Sequence, residues 1–521
     1  MQSSALMILG TASHVGKSII TAGLGRILAN DGYSVAPFKA QNVSLNSAAT
    51  PDGREIGRAQ ALQAEACRTP ACAEMNPVLI KPSSDTSSQI VVLGRVWGQM
   101  TAADYHNHRV EELFPVVVES YRKLASRYDV ILLEGAGSPA EINLRDHDIV
   151  NMRMARAADA SCLLVGDIDR GGVFAALVGT LELLNPWERA LIKGFVINKF
   201  RGDKSLLQPG IEMIERRVGL PCVGVVPYLH DLGLEEEDGV ANEDRRSAQR
   251  VWCTPVDTRS PDRSLRVGVI ALPHMSNFTD FDALAVEPSI SLAYLDKAED
   301  IANADLLILP GSKQTQDDLG WLAQKGFWST IEDHHARQRG IIGVCGGFQM
   351  LGMTIHDPSG IENEGRPTES KGLGLLPIET TLHMEKTTRP VCGFICAESF
   401  LGQPWPQEQF QGYEIHVGET RSLGPMSPLA RIVPLGTNSE SLDGAISSDG
   451  LACGTYVHGF FDNDAFRHGL IDSLRAYAGL SPAQQEIFVT AERDSRLTRL
   501  ADHLRNSLDM DLLRGWIGEI P

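Results

Sequence analysis

Nucleophilic cysteine chemistry is the first activity that the residue pattern indicates. Cys345 lies between glycines in Ile341-Ile-Gly-Val-Cys345-Gly-Gly-Phe-Gln, which predicts a strand, a tight turn and a helix with the cysteine at the bend. A thiol at such a bend is expected to be exposed, and the N-terminus of the following helix favours its thiolate form. The pattern therefore predicts a nucleophile at Cys345, whereas most free cysteines are inert core residues.

A thiolate nucleophile also needs a proton carrier and donors for the oxyanion formed when it attacks a carbonyl. We predict His458 as the proton carrier, because it follows a strand-like run far along the chain, as such partners usually do. The backbone amide of Gly311, which follows the predicted strand Leu306–Leu309, is one expected oxyanion donor. The amide of Gly346, next to the nucleophile, is the second.

Phosphate binding is indicated near the N-terminus. A glycine-rich loop directly follows a predicted strand and runs into a predicted helix, which is the context of a phosphate-binding loop. Its N–H groups would hold a phosphate, its lysine would reach the β- and γ-phosphates of ATP, and its serine would ligate Mg²⁺. Five residues separate its glycines, against four in the common motif. The predicted ATP-binding residues of the loop are Gly10, Thr11, Gly16, Lys17 and Ser18.

Polar residues follow several other predicted strands, and parallel strands bring their carboxyl ends to one edge of a sheet. Glu134 ends the strand Val130–Leu133 and is expected to hold Mg²⁺ together with Ser18; the alternative is an acid that only caps the next helix. Asn198 ends the strand Phe195–Ile197 and is expected to contact the nucleobase of ATP. The residues expected to bind substrate or phosphate are Lys39, Gln41, Asn42, Asp85 and Asp146.

Two α/β halves position these residues. Short apolar runs alternate with helical patterns, which predicts βαβ units and a parallel sheet. We predict an N-terminal phosphate-loop domain over residues 1–232, an acidic linker over 233–263, and a C-terminal α/β domain with a helical tail over 264–521. The clearest predicted strands are Ala5–Leu9, Val35–Phe38, Val130–Leu133, Cys162–Val165, Phe195–Ile197, Val223–Val226, Val267–Leu272, Leu306–Leu309 and Ile341–Val344.

Composition narrows the class of protein. The 521 residues include 47 Lys and Arg against 66 Asp and Glu, a net charge of −19 that predicts no nucleic-acid or membrane-surface partner. The nine cysteines form no C-x-x-C pair, and the N-terminus lacks the features of a signal peptide. We therefore expect a cytoplasmic enzyme with reduced thiols.

Six strings, in this order along the chain, identify a family: Lys39–Ser47, Met75–Pro82, Glu134–Leu144, Asp167–Phe174, Ser276–Asp282 and Gly412–His416. With them the chain resembles, over nearly its whole length, the glutamine-dependent amidotransferases of the cobyric acid synthase and cobyrinic acid diamide synthase type. The resemblance implies a dethiobiotin-synthetase-like ATP domain followed by a flavodoxin-like class I glutamine amidotransferase domain.

The resemblance also implies a reaction. Cys345 and His458 would release ammonia from L-glutamine, and ATP with Mg²⁺ would activate carboxylates of a corrinoid. The expected conversion is amidation of the b, d, e and g carboxylates of adenosylcobyrinic acid a,c-diamide to adenosylcobyric acid in cobalamin biosynthesis. Most class I glutaminases have a His-x-Glu acid, but Phe460 stands at that place here, so no third triad residue is assigned. A sister amidotransferase and a non-catalytic phosphate-loop switch are the alternatives.

Overall fold

The chain divides into two structural units. The computed structural model describes residues 3–82, 87–101, 104–105, 110–229, 232–234, 252, 260, 262–363 and 365–518. Unit 1 comprises Met1–Thr50, Arg54–Ala241 and Arg493–Pro521, and unit 2 comprises Pro51–Gly53 and Asn242–Glu492. Asp85 and most of the predicted linker lie outside the described residues.

Unit 1 is built on a parallel sheet. Its strands are β1 (Ser4–Gly10), β2 (Val35–Phe38), β3 (Gln41–Val43), β4 (Ser47–Ala49), β5 (Glu55–Gly57), β6 (Val78–Pro82), β7 (Ser87–Val92), β8 (Arg95–Thr101), β9 (Val130–Glu134), β10 (Ser161–Asp167), β11 (Ile192–Phe200) and β12 (Cys222–Pro227). Its helices before the linker are α1 (Lys17–Asn30), α2 (Arg58–Ala66), α3 (Val110–Ala125), α4 (Met152–Ala157), α5 (Val173–Leu183), α6 (Pro186–Arg189) and α7 (Lys204–Val218).

Six of these strands form the central sheet in the order β12-β11-β10-β1-β9-β2, with every neighbouring pair parallel. These are the six strands predicted for this half. Val35–Phe38 has the predicted bounds, and each of the other five is longer than predicted by one or more residues. Alternate residues of β1 enter different apolar cores: Met7 joins one with α3, and Leu6 joins the other with α1. A strand buried on both faces must be apolar throughout, which is why short continuous apolar runs predicted the parallel α/β fold correctly.

A smaller sheet, β3-β6-β7-β8, and the hairpin β4-β5 lie in the chain between β2 and β9. The predicted strands did not include them. Asn76 connects this insertion to the main sheet, since its amide donates to the carbonyl oxygens of Lys39, after β2, and of Val78, in β6. The insertion therefore helps to fix the end of β2, where Lys39 lies.

Among the described residues, unit 2 contains two large sheets and one two-stranded sheet. Its strands are β13 (Leu265–Ile270), β14 (Ile290–Leu295), β15 (Leu306–Leu309), β16 (Gly340–Val344), β17 (Thr354–Asp357), β18 (Thr368–Lys371), β19 (Ile378–Ile395), β20 (Ser399–Phe400), β21 (Gln403–Pro404), β22 (Gln409–Ser422), β23 (Ala430–Pro434), β24 (Ser441–Asp443), β25 (Ala445–Ile446), β26 (Ala452–Thr455) and β27 (Val457–His458). Its helices are α8 (Asp282–Ala285), α9 (Thr315–Gln324), α10 (Phe327–Ala336), α11 (Gly346–Met350) and α12 (Asp464–Tyr477).

The first sheet of unit 2 has the order β14-β13-β15-β16-β26-β25 and is parallel except for its last pair. The second is built around the long antiparallel strands β19 and β22, and β27 pairs with β22 at its edge. The three strands predicted for this half are β13, β15 and β16. The cysteine bend follows β16 and the histidine ends β27, so the two sheets bring together residues far apart in the sequence.

The C-terminal tail forms α13 (Val489–Arg505) and α14 (Met510–Ile517). The predicted domain boundaries placed residues 493–521 with the second domain, whereas the structure places them in unit 1. Leu497, Leu500 and Leu504 recur at helical spacing and join the apolar core that contains α1. The burial of these three leucines in that core is the reason why the tail belongs to unit 1. In the described parts of the chain, no helix has the length and apolarity that a membrane span requires.

Candidate active sites

The chain turns sharply at Cys345, between β16 and α11. Cys345 has φ 53° and ψ −110°, a conformation that is rare for a residue with a side chain. The turn depends on close glycine packing, since a Cβ on Gly347 would lie 2.0 Å from the carbonyl oxygen of Leu309. The prediction that the thiol is exposed is wrong: Cys345 is 8% exposed, and its Sγ donates to the carbonyl oxygen of Ile415 on β22 at 3.6 Å. The second sheet covers the bend, which makes the site enclosed.

His458 is held beside this bend by a buried carboxylate. Its Nδ1 lies 2.7 Å from Oδ2 of Asp280, and the N–H of Gly459 donates to Oδ1 of the same carboxylate at 3.1 Å. His458 is 1% exposed and Asp280 is 3% exposed. Nε2 of His458 is buried and has no hydrogen-bond partner among the described residues. One ring nitrogen is therefore fixed and the other is available for proton transfer.

The pKa of His458 follows from these neighbours. Burial disfavours the charged imidazolium, but the negative charge and hydrogen bond of Asp280, with a further contribution from Cys345, outweigh it and raise the pKa to about 10. The histidine is thus held in its protonated form at neutral pH. A protonated histidine beside a cysteine can stabilise a thiolate and can protonate a departing amine.

Sequence reasoning missed Asp280, the residue that orients the histidine. It lies in a short turn, Phe278–Phe281, 178 positions before His458. No spacing rule connects the two residues, because only the packing of unit 2 brings them together. The string Ser276–Asp282, one of the six that marked the family, contains Asp280 and was the available signal.

The two expected oxyanion donors lie at the same site. A Cβ on Gly311 would be 3.6 Å from Cε1 of His458, and a Cβ on Gly346 would be 2.8 Å from the backbone nitrogen of Ser312. Neither glycine amide donates a hydrogen bond to another residue within the described ranges. Ser312 is anchored by Asp318, which is fully buried and accepts a 2.6 Å hydrogen bond from its hydroxyl. The loop that carries Gly311 is thereby fixed beside the cysteine.

The phosphate loop connects β1 to α1 in unit 1. Gly16 has φ +97°, a left-handed conformation that glycine adopts without strain. The Lys17 side chain folds over the loop, where its ammonium donates to the carbonyl oxygens of Ala12 (3.0 Å) and Gly137 (3.1 Å). The structure thus brings the predicted loop residues, from Gly10 to Ser18, together at the carboxyl end of β1.

Asn198 lies against the same loop, at 7% exposure. Its side-chain amide donates to the carbonyl oxygen of Val15 at 2.8 Å, and a Cβ on Gly16 would lie 2.2 Å from its Nδ2. The amide is thus engaged with the loop backbone. The contact adds a second reason for glycine at position 16.

Glu134, at the end of β9, is the centre of a buried polar cluster. Its carboxylate accepts hydrogen bonds from the Ser18 hydroxyl (2.8 Å) and the Gln63 amide (2.6 Å), and it lies 3.1 Å from Nζ of Lys39. Burial opposes its ionisation, but the charge of Lys39 and these hydrogen bonds outweigh burial, so its pKa lies below the usual value. The structure therefore places a carboxylate, a hydroxyl and an ammonium group beside the phosphate loop.

The remaining predicted residues of unit 1 are in different surroundings. Gln41 accepts a 2.5 Å hydrogen bond from Tyr105, and Gln41 and Asp146 both line a cavity beside the phosphate loop. Asn42 is 2% exposed and donates to Gln60 at 2.9 Å, and both side chains are buried. Asp85 lies outside the described residues.

Comparison with known proteins supports both halves of the chain. Residues 6–241 match the model of the CobQ/CobB/MinD/ParA nucleotide binding domain, and residues 266–466 match that of the CobB/CobQ-like glutamine amidotransferase domain. Cobyric acid synthase of Syntrophobacter fumaroxidans is 45% identical over 98% of this chain and 98% of its own length. Cobyric acid synthase of Moorella thermoacetica is 46% identical over 99% of this chain, and that of Klebsiella pneumoniae is 46% identical over 97% of this chain. Both matches cover 97% of the relative's own length.

Proposed function

The chain belongs to the cobyric acid synthase family, and from that premise we propose how its two sites act. It is an ATP-dependent glutamine amidotransferase of cobalamin biosynthesis. Its substrate is adenosylcobyrinic acid a,c-diamide, whose b, d, e and g carboxylates become amides to give adenosylcobyric acid. The observation that carries the proposal is the buried Asp280–His458 pair beside Cys345, in a chain that also holds a phosphate loop.

The first half-reaction takes place in unit 2. The sulfur of Cys345 attacks the side-chain amide carbon of glutamine, and the N–H groups of Gly311 and Gly346 stabilise the oxyanion. His458 donates a proton from Nε2 to the departing ammonia, which leaves a thioester. His458 then takes a proton from water, whose oxygen attacks the thioester carbon, and glutamate leaves as the thiol re-forms. Asp280 keeps Nε2 directed at the reacting atoms throughout.

The second half-reaction takes place in unit 1. An oxygen of a substrate carboxylate attacks the γ-phosphorus of ATP, which gives an acyl phosphate and ADP. Ammonia then attacks the acyl carbon, phosphate leaves, and an amide remains. Lys17 in the phosphate loop stabilises the negative charge that moves onto the phosphate oxygens. Lys39, 3.1 Å from Glu134, is near enough to the loop to hold the same phosphoryl group or the substrate carboxylate.

Mg²⁺ is part of this proposal, and the residues present fit it. The Ser18 hydroxyl and the Glu134 carboxylate are adjacent oxygen donors, and oxygen is the ligand that Mg²⁺ prefers. In the described parts of the chain, no group of three or more His, Cys, Asp or Glu side chains could hold a metal. The donor set therefore suits an ion that takes its other ligands from ATP phosphates and water. Such an ion would neutralise charge on the phosphates.

A cytoplasmic location is also proposed. The eight described cysteines are all free thiols, as expected for a protein kept in a reducing compartment. Alkylation of the unreduced purified protein tests this point. It should label the partly exposed thiols without prior reduction, and a requirement for reductant would contradict the proposal.

Product mass tests the proposed function directly. Incubation with the corrinoid a,c-diamide, Mg-ATP and glutamine should give four successive losses of about 1 Da, because each carboxyl becomes an amide. Two losses or none would refute the assignment. Cys345→Ala should abolish glutamine-dependent amidation but retain amidation with added ammonia, whereas Lys17→Ala should abolish both. Full use of glutamine by Cys345→Ala would contradict the assignment of the thiol.

A further inference from the structure

A cavity of about 510 Å³ opens in unit 1 beside the phosphate loop. Ser13 of the loop lines it, as does Gly137, whose carbonyl oxygen accepts a hydrogen bond from Lys17. Residues of α4, of α6 and of the turn Arg145–His147 form other parts of its lining. The cavity therefore extends from the phosphate-binding residues to the surface formed by these elements.

Large apolar side chains are exposed at this cavity. Leu144 and Trp187 line it and are 39% and 40% exposed. Ile142 and Leu183, close to lining residues in the sequence, are 56% and 47% exposed. Exposed apolar side chains in the lining of a cavity that also has charged groups, as Leu144 and Trp187 are here, are typical of a ligand site, because contact with water is costly for them until the ligand covers them.

The charged lining residues differ in what they contact. The guanidinium of Arg153 makes a bidentate ion pair with Glu111, and Arg145 donates to the carbonyl oxygen of Leu183. Arg156 is exposed, and its guanidinium lies 5.0 Å from the ring centroid of Trp187. Within the described residues no carboxylate pairs with Arg156. A guanidinium above an aromatic ring is therefore available to an anionic ligand.

We propose that this cavity binds the corrin ring of the substrate, with Trp187 against its apolar face and Arg156 paired with a peripheral carboxylate. The inference rests on the proposed function and adds to it the residues that bind the substrate. A corrinoid acid combines a large apolar ring with several carboxylates, which matches an aromatic face beside a cation that no carboxylate of the described residues pairs. The ring would lie against α4 and α6 while a carboxylate reaches the phosphate loop next to Ser13.

Equilibrium dialysis of the purified full chain against cobyrinic acid a,c-diamide, detected by corrin absorbance, tests the proposal. Arg156→Gln and Trp187→Ala should each raise the dissociation constant about tenfold, the effect of losing one charge-assisted or one aromatic contact. Arg156→Lys and Trp187→Phe should recover part of the affinity, because each keeps the charge or the ring. Arg216→Gln, an exposed arginine in α7 outside the cavity lining, is the matched control and should bind as the wild type.

Kinetics with ammonia as nitrogen donor separate the corrinoid from the nucleotide. The KM for the corrinoid should rise about tenfold in Arg156→Gln and Trp187→Ala, with the KM for ATP within twofold of wild type. Wild-type affinity for the corrinoid in both variants would overturn the proposal, and so would a rise confined to the KM for ATP. If the wild type bound the corrinoid through these residues but did not amidate it, the proposed function would fail and this inference would stand.

Discussion

Asp280→Asn removes the charge beside His458 while keeping the shape of the side chain. Asp280 accepts two hydrogen bonds, one from Nδ1–H of His458 and one from the N–H of Gly459. Asparagine has one acceptor oxygen and one donor NH₂, so it can satisfy only one of these two groups. If its oxygen accepts from Gly459, its NH₂ faces Nδ1 and the imidazole must carry its proton on Nε2 alone. That tautomer cannot take a proton at Nε2 from the water that attacks the thioester.

The expected loss is large because the site is buried. In hydrolases whose triad aspartate is replaced by asparagine, the wrong tautomer lowers kcat by about 10⁴. At about 1.36 kcal/mol per tenfold, that is about 5.4 kcal/mol of transition-state stabilisation. The substitution also lowers the pKa of His458, which is raised to about 10 in part by the charge of Asp280. The alkaline limb of the glutaminase pH profile should therefore move to lower pH, since the imidazolium loses its proton earlier.

Glutamate release at varied pH measures both effects. Asp280→Asn should lower kcat/KM for glutamine by about 10³ to 10⁴ and keep amidation with added ammonia, which does not use His458. Asp333→Asn, a change of an exposed acid on α10, is the matched control and should behave as the wild type. A loss of less than tenfold with an unchanged alkaline limb would refute the role given to Asp280. Equal loss of ammonia-dependent activity would instead indicate a folding defect.

Three further outcomes are expected. Asp318→Asn should lower kcat for glutamine hydrolysis about tenfold with little change in KM, because the carboxylate anchors Ser312 beside the oxyanion donors. A change in KM with an unchanged kcat would contradict this prediction. Leu504→Ala should lower the unfolding free energy of unit 1 by about 2–4 kcal/mol, because Leu504 is 1% exposed and packs on Gly23 of α1. Urea denaturation measures this change, and a urea midpoint equal to that of the wild type would contradict the prediction. Burial raises the pKa of Asp443 from 3.8 to about 7, so the folded chain keeps a proton that the unfolded chain loses and stability falls as pH rises through this window. Asp443→Asn should show a smaller fall in stability between about pH 4 and pH 7 in the same urea experiment, and a fall equal to that of the wild type would contradict this prediction.

Local pattern was sufficient for the features whose causes are local. The strands of both parallel sheets are short apolar runs because both of their faces are buried, and such runs are visible in the sequence. The bend at Cys345 and the loop from Gly10 to Ser18 were predictable for a similar reason. Each needs glycines at set positions, either for a positive φ or because a Cβ would collide with neighbouring backbone.

Features that depend on contacts between residues far apart in the sequence were predicted incompletely. The thiol of Cys345 was expected to be exposed, but β22, about 70 residues later, covers it. The surroundings of Asn42 come from Gln60 of α2, to which its amide donates, and its expected place at the substrate site stays a prediction. In both cases the local motif was read correctly, and the environment of the side chain came from another element.

Local patterns were enough for the class of fold and for the two reactive motifs, because apolar periodicity and glycine geometry act over a few residues, whereas the family came from the resemblance of the six strings. Which acid orients His458 depended on the packing of unit 2, since Asp280 lies 178 positions before it. Only the tertiary structure placed the tail against α1, where the stripe from Leu497 to Leu504 is buried. Apolar periodicity shows that a face must be buried but does not say against what, because the hydrophobic effect is non-directional.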